Sequence, residues 1–292
     1  MRLIDPSVEM LKCDYKDFDD VTRMIEKAGR ICYKSEHKIT TDSHIDFVDM
    51  LVRRGHYSPL EHGTIYLKIE LPWIAREASK DPDYNNKYKI ISFYKHNKYS
   101  RIVKNINYIN DVPCSSLYYI TTNYRVLLEN DRMDDIKYLS IPEPNHVKRY
   151  SFKIVCDRAV GNEIVRHRKL SFCQESTRYC NYAYDNFGNT LTFIKPYWYY
   201  NNVEGQACYI KACEETEDHY LWMVQELKMS PQQARQVLPL GLKTELIVTG
   251  FSDDWDHFLS LRTASSAHPD MQIIANEIKD CLYEMVEENK KE

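Results

Sequence analysis

Arg166-His167-Arg168-Lys169-Leu170-Ser171-Phe172-Cys173-Gln174-Glu175-Ser176-Thr177-Arg178-Tyr179 packs three arginines, two serines and a histidine into one short run. A guanidinium is a planar fork of donors that matches phosphate or carboxylate oxygens in pairs, and serine hydroxyls and loop amides add neutral donors. Taken alone, Arg-His-Arg reads more readily as a solvated basic helix end that offsets the helix dipole. Its surroundings say more. Upstream, residues 150–155 alternate apolar and polar side chains and predict a strand, after which Asp157 is placed to cap a helix running to about Arg168. The basic run therefore falls in a strand–helix–loop transition.

Working outward, residues 16–30 predict a helix with Phe18, Val21, Met24, Ile25 and Ala28 on one face. Ser43 is placed to cap a second helix, which stops at Arg53-Arg54-Gly55. Ser58, Pro59 and Glu61 have the spacing of a capping box, and residues 64–71 alternate as a strand. From about 73 to 148 the chain is rich in Tyr, Asn, Lys and Asp, with weak periodicity apart from some order expected over 117–128. This stretch is read as an insertion. After it, Ser230-Pro231 opens a helix through Leu238, Ser252 opens one reaching Arg262, and His268-Pro269 opens the last. The expected fold is α+β: a mixed or antiparallel sheet flanked by helices, forming one domain over 1–292 with a large insertion at about 73–148 between two strands.

Composition narrows the function. The 292 residues carry 39 Lys+Arg and 43 Asp+Glu, a net charge of 39 − 43 = −4, which argues against a dedicated nucleic-acid binder. No run approaches the roughly 18 apolar residues of a membrane span, and no apolar stretch follows Met1-Arg2-Leu3-Ile4-Asp5-Pro6 to suggest a secretion signal. The nine cysteines are scattered, with no C-x-x-C pair and no zinc-ligand spacing, so reduced thiols in the cytoplasm and no metal are expected. With 8 glycines and neither G-x-G-x-x-G nor a P-loop, any nucleotide phosphate must be held by other means.

The pattern R-H-R-x7-S followed by x-R-Y resembles the signature of the flavin-dependent thymidylate synthases. Three further segments agree in order: Gly55-His56-Tyr57-Ser58-Pro59-Leu60-Glu61-His62 is similar to the G-H-x-[ST]-P-x-E-H element, Ala234-Arg235-Gln236-Val237-Leu238-Pro239 to A-R-x-x-L-P, and Phe258-Leu259-Ser260-Leu261-Arg262 to F-L-x-L-R. The resemblance implies reductive methylation of dUMP to dTMP, with methylenetetrahydrofolate giving the carbon, NADPH-reduced FAD giving the hydride, and tetrahydrofolate released. It also implies a homotetramer whose active sites are shared between subunits.

Carried over by matching position, Arg166, His167, Arg168, Ser58, Glu61 and His257 fall on the flavin side. Ser176, Arg178, Tyr179, Arg235 and Arg262 fall on the nucleotide and folate side, with Glu163, Gln174 and Glu175 beside them. Arg262, Ser176 and His56 are the implied catalytic residues, Arg262 stabilising negative charge on the pyrimidine. Some positions depart from the family pattern. Cys173 stands where Asn is common, Phe251-Ser252-Asp253 where N-A-R is common, and Asn162-Glu163 where Arg-Gln is common. Pro113-Cys114 matches the nucleophile dipeptide of the unrelated cysteine-dependent thymidylate synthases, but its neighbours do not, so Cys114 is expected to be dispensable.

Overall fold

The computed structural model describes residues 1–73, 82–183 and 188–288. In chain order the elements are β1 (Arg2–Ile4), β2 (Ser7–Met10), α1 (Phe18–Ile31), α2 (Ser43–Arg53), β3 (Thr64–Pro72), α3 (Pro82–His96), β4 (Arg101–Ile109), β5 (Val112–Asn123) and α4 (Tyr124–Glu129). They continue with β6 (Arg149–Asp157), α5 (Arg158–Ile164), β7 (Ser171–Gln174), β8 (Thr192–Ile194), α6 (Val203–Gln225), α7 (Pro231–Ala234), β9 (Lys243–Phe251), α8 (Ser252–Arg262) and α9 (Pro269–Glu288). The chain divides into two compact units. One comprises Met1–Leu11, Ala28–His37 and Ser151–Glu292, and the other Lys12–Lys27 and Lys38–Tyr150.

The second unit is built on a three-stranded sheet in the order β3-β5-β4, both pairs antiparallel. β3 buries Ile65, Leu67, Ile69 and Leu71 on one face, which is why its apolar alternation was visible in the sequence. Its partners β4 and β5 come from the stretch read as an insertion. That stretch nevertheless contributes to a core: Ile90, Ile91, Tyr94, Ile120, Tyr124 and Leu127 join Val21, Ile25, Leu60, Ile65 and Leu67. Order over 117–128 is borne out by β5 and α4. The part at 74–81 lies outside the described residues. Gly55, at φ +68°, ends the basic last turn of α2 in the left-handed region that glycine tolerates. Ser43 is the first residue of α2 rather than its cap, and its Oγ donates to Glu26 Oε2 at 2.8 Å.

The first unit holds a four-stranded sheet in the order β2-β6-β9-β7, with β2–β6 and β7–β9 antiparallel, and a parallel β1–β8 pair. Trp255 of α8 packs edge-on against Phe152 of β6 at 4.9 Å and Phe258 at 5.4 Å between ring centroids. All three are fully buried and anchor α8 on the sheet. α9 presents Met271, Ile274, Ala275 and Ile278 as its buried stripe. The α+β expectation holds. No described helix is long and apolar enough to cross a membrane.

Two helix ends differ from expectation. Asp157 does cap α5, its Oδ1 accepting from the Val160 amide at 2.8 Å, but the helix ends at Ile164 instead of Arg168. The basic run that follows has no apolar stripe to bury and leaves as a turn. The helix opened by the Ser230 capping box likewise ends at Ala234, and Arg235–Val237 tighten into a 3-10 turn before Pro239.

Candidate functional site

The first unit brings several predicted residues together. α5 crosses the sheet closely because position 161 is glycine: a Cβ there would sit 3.0 Å from both Gln174 Nε2 and Thr244 Cγ2. That approach sets Glu163 and the Arg-His-Arg turn beside β7 and β9. From α8, Arg262 then reaches back. Its Nε donates to His167 Nε2 at 2.8 Å, its Nη1 to Glu163 Oε2 at 2.6 Å and its Nη2 to the Glu163 carbonyl at 3.3 Å.

Accepting from a guanidinium requires a lone pair on His167 Nε2, so the neutral ring carries its proton on Nδ1. Burial, reinforced by the Arg262 and His257 charges, pulls the His167 imidazole down to about 4. Phe258 packs edge-on against the same ring at 4.7 Å. Arg262 is thereby fixed by three hydrogen bonds to two residues before any ligand arrives.

β7 leads into the next cluster. Gln174 Nε2 donates to Thr244 Oγ1 at 3.2 Å, and the Glu175 amide extends the β7–β9 ladder by donating to the Glu245 carbonyl at 2.8 Å. The Glu175 carboxylate is wholly buried. It accepts from Tyr182 Oη at 2.7 Å and from Lys243 Nζ at 2.7 Å. Lys243 also donates to Glu245 Oε1 at 2.7 Å, which Lys34 reaches at 2.6 Å, while Lys153 pairs with Glu245 Oε2 at 3.2 Å. Burial opposes the charge on Glu245, but the Lys243 and Lys34 ammonium groups outweigh it and hold the carboxyl down to about 2. Burial and the Glu175 charge push the Tyr182 phenol well up, so it stays a donor.

Past this cluster the chain turns outward. The Ser176 amide donates to the Cys32 carbonyl at 3.2 Å, and Ser176 Oγ accepts from the Arg178 amide at 3.3 Å. Arg178 is exposed, with Nε donating to Gln232 Oε1 at 2.8 Å and its guanidinium lying 5.4 Å from the centre of the Tyr179 ring. Tyr179 is exposed too and meets Tyr33 at 5.2 Å. Arg166, Arg168, Arg235 and His257 are exposed.

The Gly55–His62 element belongs to the second unit. His56 and Ser58 are exposed, and Pro59–His62 form a 3-10 turn. The capping box expected at Ser58 is absent: Ser58 is itself helical, and its side chain makes no cap bond. Glu61 is freed from capping and pairs instead with Arg125, whose Nη1 lies 2.7 Å from Glu61 Oε1. Buried Arg149 donates to the Glu61 carbonyl at 3.1 Å and to Thr64 Oγ1 at 3.2 Å, which fixes the turn. Cys114 lies on β5, its thiol directed to the Asn107 carbonyl at 3.4 Å.

Sequence reading missed Lys34, Lys153, Lys243, Glu245, Arg125 and Arg149. The one available signal was Lys243-Thr244-Glu245, charges at alternate positions opening an otherwise apolar strand.

Known proteins give this geometry its context. The chain is 28% identical over 170 residues to a flavin-dependent thymidylate synthase of Mycobacterium sp. (strain KMS), covering 52% of this chain and 63% of that protein. It is 30% identical over 145 residues to the flavin-dependent thymidylate synthase of Sulfurisphaera tokodaii, covering 49% and 50%. The matches thus span between half and under two thirds of these relatives' lengths.

Among solved structures, a UMP/dUMP methylase, PolB, of Streptomyces cacaoi bound with 5-Br dUMP is similar at a TM-score of 0.44 and 16% identity, over 97% of this chain and 93% of that one. Thymidylate synthase X of Helicobacter pylori with FAD and dUMP is similar at 0.37 and 22%, over 45% and 66%. The family model for thymidylate synthase complementing protein matches residues 15–77 and 142–287, which takes in all four motifs and the Arg262–His167–Glu163 cluster. With well over half of its length matched, the chain belongs to the thymidylate synthase complementing protein family.

Proposed function

We propose that this protein catalyses the reductive methylation of dUMP to dTMP, with methylenetetrahydrofolate as carbon donor and NADPH-reduced FAD as hydride source. The observation that carries this reading is the cluster of Arg262, His167 and Glu163, which joins the F-L-x-L-R element to the R-H-R signature through side chains 95 residues apart. A guanidinium fixed in advance can stabilise charge developing on a pyrimidine without reorganising at the moment of reaction.

The residues present fit a flavin. Arg166 and Arg168 are exposed and form no ion pair among the described residues, so their donors remain open to pyrophosphate oxygens. His167, His257, Ser58 and Glu61 complete the assignment by their match to the family motifs. When bound, FAD supplies the redox chemistry that no side chain offers. The protein's own part is to orient and to stabilise charge. Ser176, Arg178 and Arg235 are assigned to the nucleotide, with Gln174 and Glu175 behind them, and Tyr179 and His56 to the folate or nicotinamide side. No enzyme nucleophile is required, and Cys114 is given no role. The protein is further proposed to act as a homotetramer with shared sites, in the cytoplasm, where its nine free thiols suit a reducing environment.

The test is a visible spectrum of the protein with FAD added, followed through a dUMP titration, and then a dTMP assay with NADPH and methylenetetrahydrofolate. A flavin spectrum that shifts saturably with dUMP, together with dTMP formation, is expected. Flavin binding without response to dUMP, or turnover of UMP in its place, would replace dUMP as the substrate; no flavin binding would overturn the reading.

A further inference from the structure

We propose that Cys32 and Cys173 form a peroxide-oxidisable dithiol site that closes to a disulfide. No step of the proposed methylation uses either thiol. Both residues lie in the first unit, where β7 is an edge strand of its sheet and Cys32, just past α1, covers the open edge. The Ser176 amide donates to the Cys32 carbonyl at 3.2 Å, and the Gln174 amide donates to the Cys32 sulfur. Cys173, on the same strand, directs its own thiol at that sulfur, and the Cys32 amide adds a third donor. The strand edge thus presents two thiols in contact, with backbone donors converging on one of them.

Donors of this kind favour a thiolate. The Cys173 hydrogen bond, helped by the two amides, outweighs burial and holds the Cys32 thiol below its ordinary value. Burial does the reverse elsewhere, pushing Cys13, Cys180 and Cys213 up to about 11, 12 and 11. Peroxide reacts with thiolates, so these buried thiols are inert beside Cys32. Cys32 is half-buried, within reach of a small oxidant, whereas Cys173 is buried and is reached through its neighbour. The Cys32 thiolate takes one oxygen of hydrogen peroxide; the O–O bond breaks and the other oxygen leaves as hydroxide, which takes up the proton Cys32 released. Cys173 then gives up its proton as its sulfur attacks the sulfenic sulfur of Cys32, the S–O bond breaks, and a second water leaves. Two thiols lose two electrons, and one peroxide becomes two waters.

The test is treatment of the whole protein with an equivalent of hydrogen peroxide, alkylation of the remaining thiols, and mass spectrometry of a digest made without reductant. A peptide joining Cys32 to Cys173 is expected as the main product, with the titre of the nine free thiols falling by two and dithiothreitol restoring both. In Cys173→Ser the reaction should stop at the Cys32 sulfenic acid, which dimedone labels. In Cys32→Ser, Cys173 should stay reduced; its oxidation at the wild-type rate would overturn Cys32 as the attacking thiol. The wild type alone decides the matter if the variants do not fold. First oxidation at the exposed Cys208, or a bond from Cys32 to Cys180, whose thiol lies 4.0 Å from the Cys32 carbonyl, overturns the inference. So does a Cys32 sulfenic acid that never closes onto Cys173.

Discussion

Arg125 Nη1 donates to Glu61 Oε1 across 2.7 Å, tying a residue that lies between the two segments matched by the family model to the Gly55–His62 element. Each side chain keeps about a third of its exposure, 35% and 29%, and Arg125 also pairs with Glu129. Solvent screening therefore limits what the pair adds to stability, and Arg125→Ala should cost less than about 1 kcal/mol in urea denaturation. Its larger effect should be on ligand binding. With Arg125 gone, Glu61 presents an uncompensated negative charge on the side assigned to the flavin phosphates, so FAD affinity should fall several-fold at low ionic strength. Salt should shrink that loss, because the charges involved are partly exposed. A loss of affinity indifferent to salt would mean that Arg125 acts by shaping the turn.

Lys243 stands between two carboxylates, and the more deeply buried one, Glu175, depends on it. Glu175 has no solvent exposure in its side chain, and among the described residues its carboxylate accepts only from Tyr182 and Lys243, so Lys243→Met strands a buried charge. Breaking such a pair from one side typically costs about 3–5 kcal/mol. The double variant Lys243→Met, Glu175→Gln should recover much of that, since the neutral amide no longer needs a cation. Denaturation midpoints for the two singles and the double give the coupling directly. Additive losses would show that Lys243 stabilises mainly through Glu245.

Acid should unfold the first unit's site for a reason that can be traced to His167. Its folded value is about 4, below the ordinary 6.5, so between those two pH values the unfolded chain binds a proton that the folded chain refuses. The resulting stability is fully present above pH 6.5 and is lost as pH falls toward 4. Its upper bound is about 3 kcal/mol, reduced by the ring's partial exposure. Glu245 adds a loss of the same sign at lower pH: its folded value of about 2 lies below 4.5, so its contribution fades as pH drops from 4.5 toward 2. Urea midpoints taken from pH 7 to pH 4 should therefore fall more steeply in the wild type than in His167→Gln. Parallel slopes would remove His167 as the cause.

How far these features could be read in advance depends on whether they leave a periodic trace. α1, α8 and α9 each bury one apolar stripe, and their limits came within a residue or two of the pattern. β4 left none, and β5 only the partial order expected from 117 on. β4 buries no residue fully and mixes Lys104, Asn105, Ile106, Asn107 and Tyr108 over half-buried and exposed positions, so its pairing with β5 shows only in three dimensions. Arg-His-Arg and Arg262 were legible because motif spacing marks them. Lys243 and Glu175 were not, since their contact joins residues 68 apart and a buried ion pair looks in sequence like two surface charges. Ser58 misled for the opposite reason: Ser-Pro-x-Glu satisfies the capping pattern, but a four-residue 3-10 turn has too few orphan amides to need it.

Arg178 provides the sharpest separation between nucleotide and flavin roles. It is exposed, and among the described residues its one side-chain hydrogen bond, to Gln232, uses Nε and leaves both terminal nitrogens for an anion. A charge-assisted hydrogen bond contributes about 1.5–3 kcal/mol, so Arg178→Ala should weaken dUMP binding by roughly 10- to 100-fold. Arg166 and Arg168 are untouched by the change, so the flavin spectrum at saturating FAD should match the wild type. Arg178→Lys should recover only part of the loss, because an ammonium keeps the charge but not the planar fork. Titrating the three proteins with dUMP at fixed FAD decides the point. Unchanged dUMP affinity in Arg178→Ala would take the nucleotide away from this turn and leave Arg235 and Arg262 as its remaining cationic anchors.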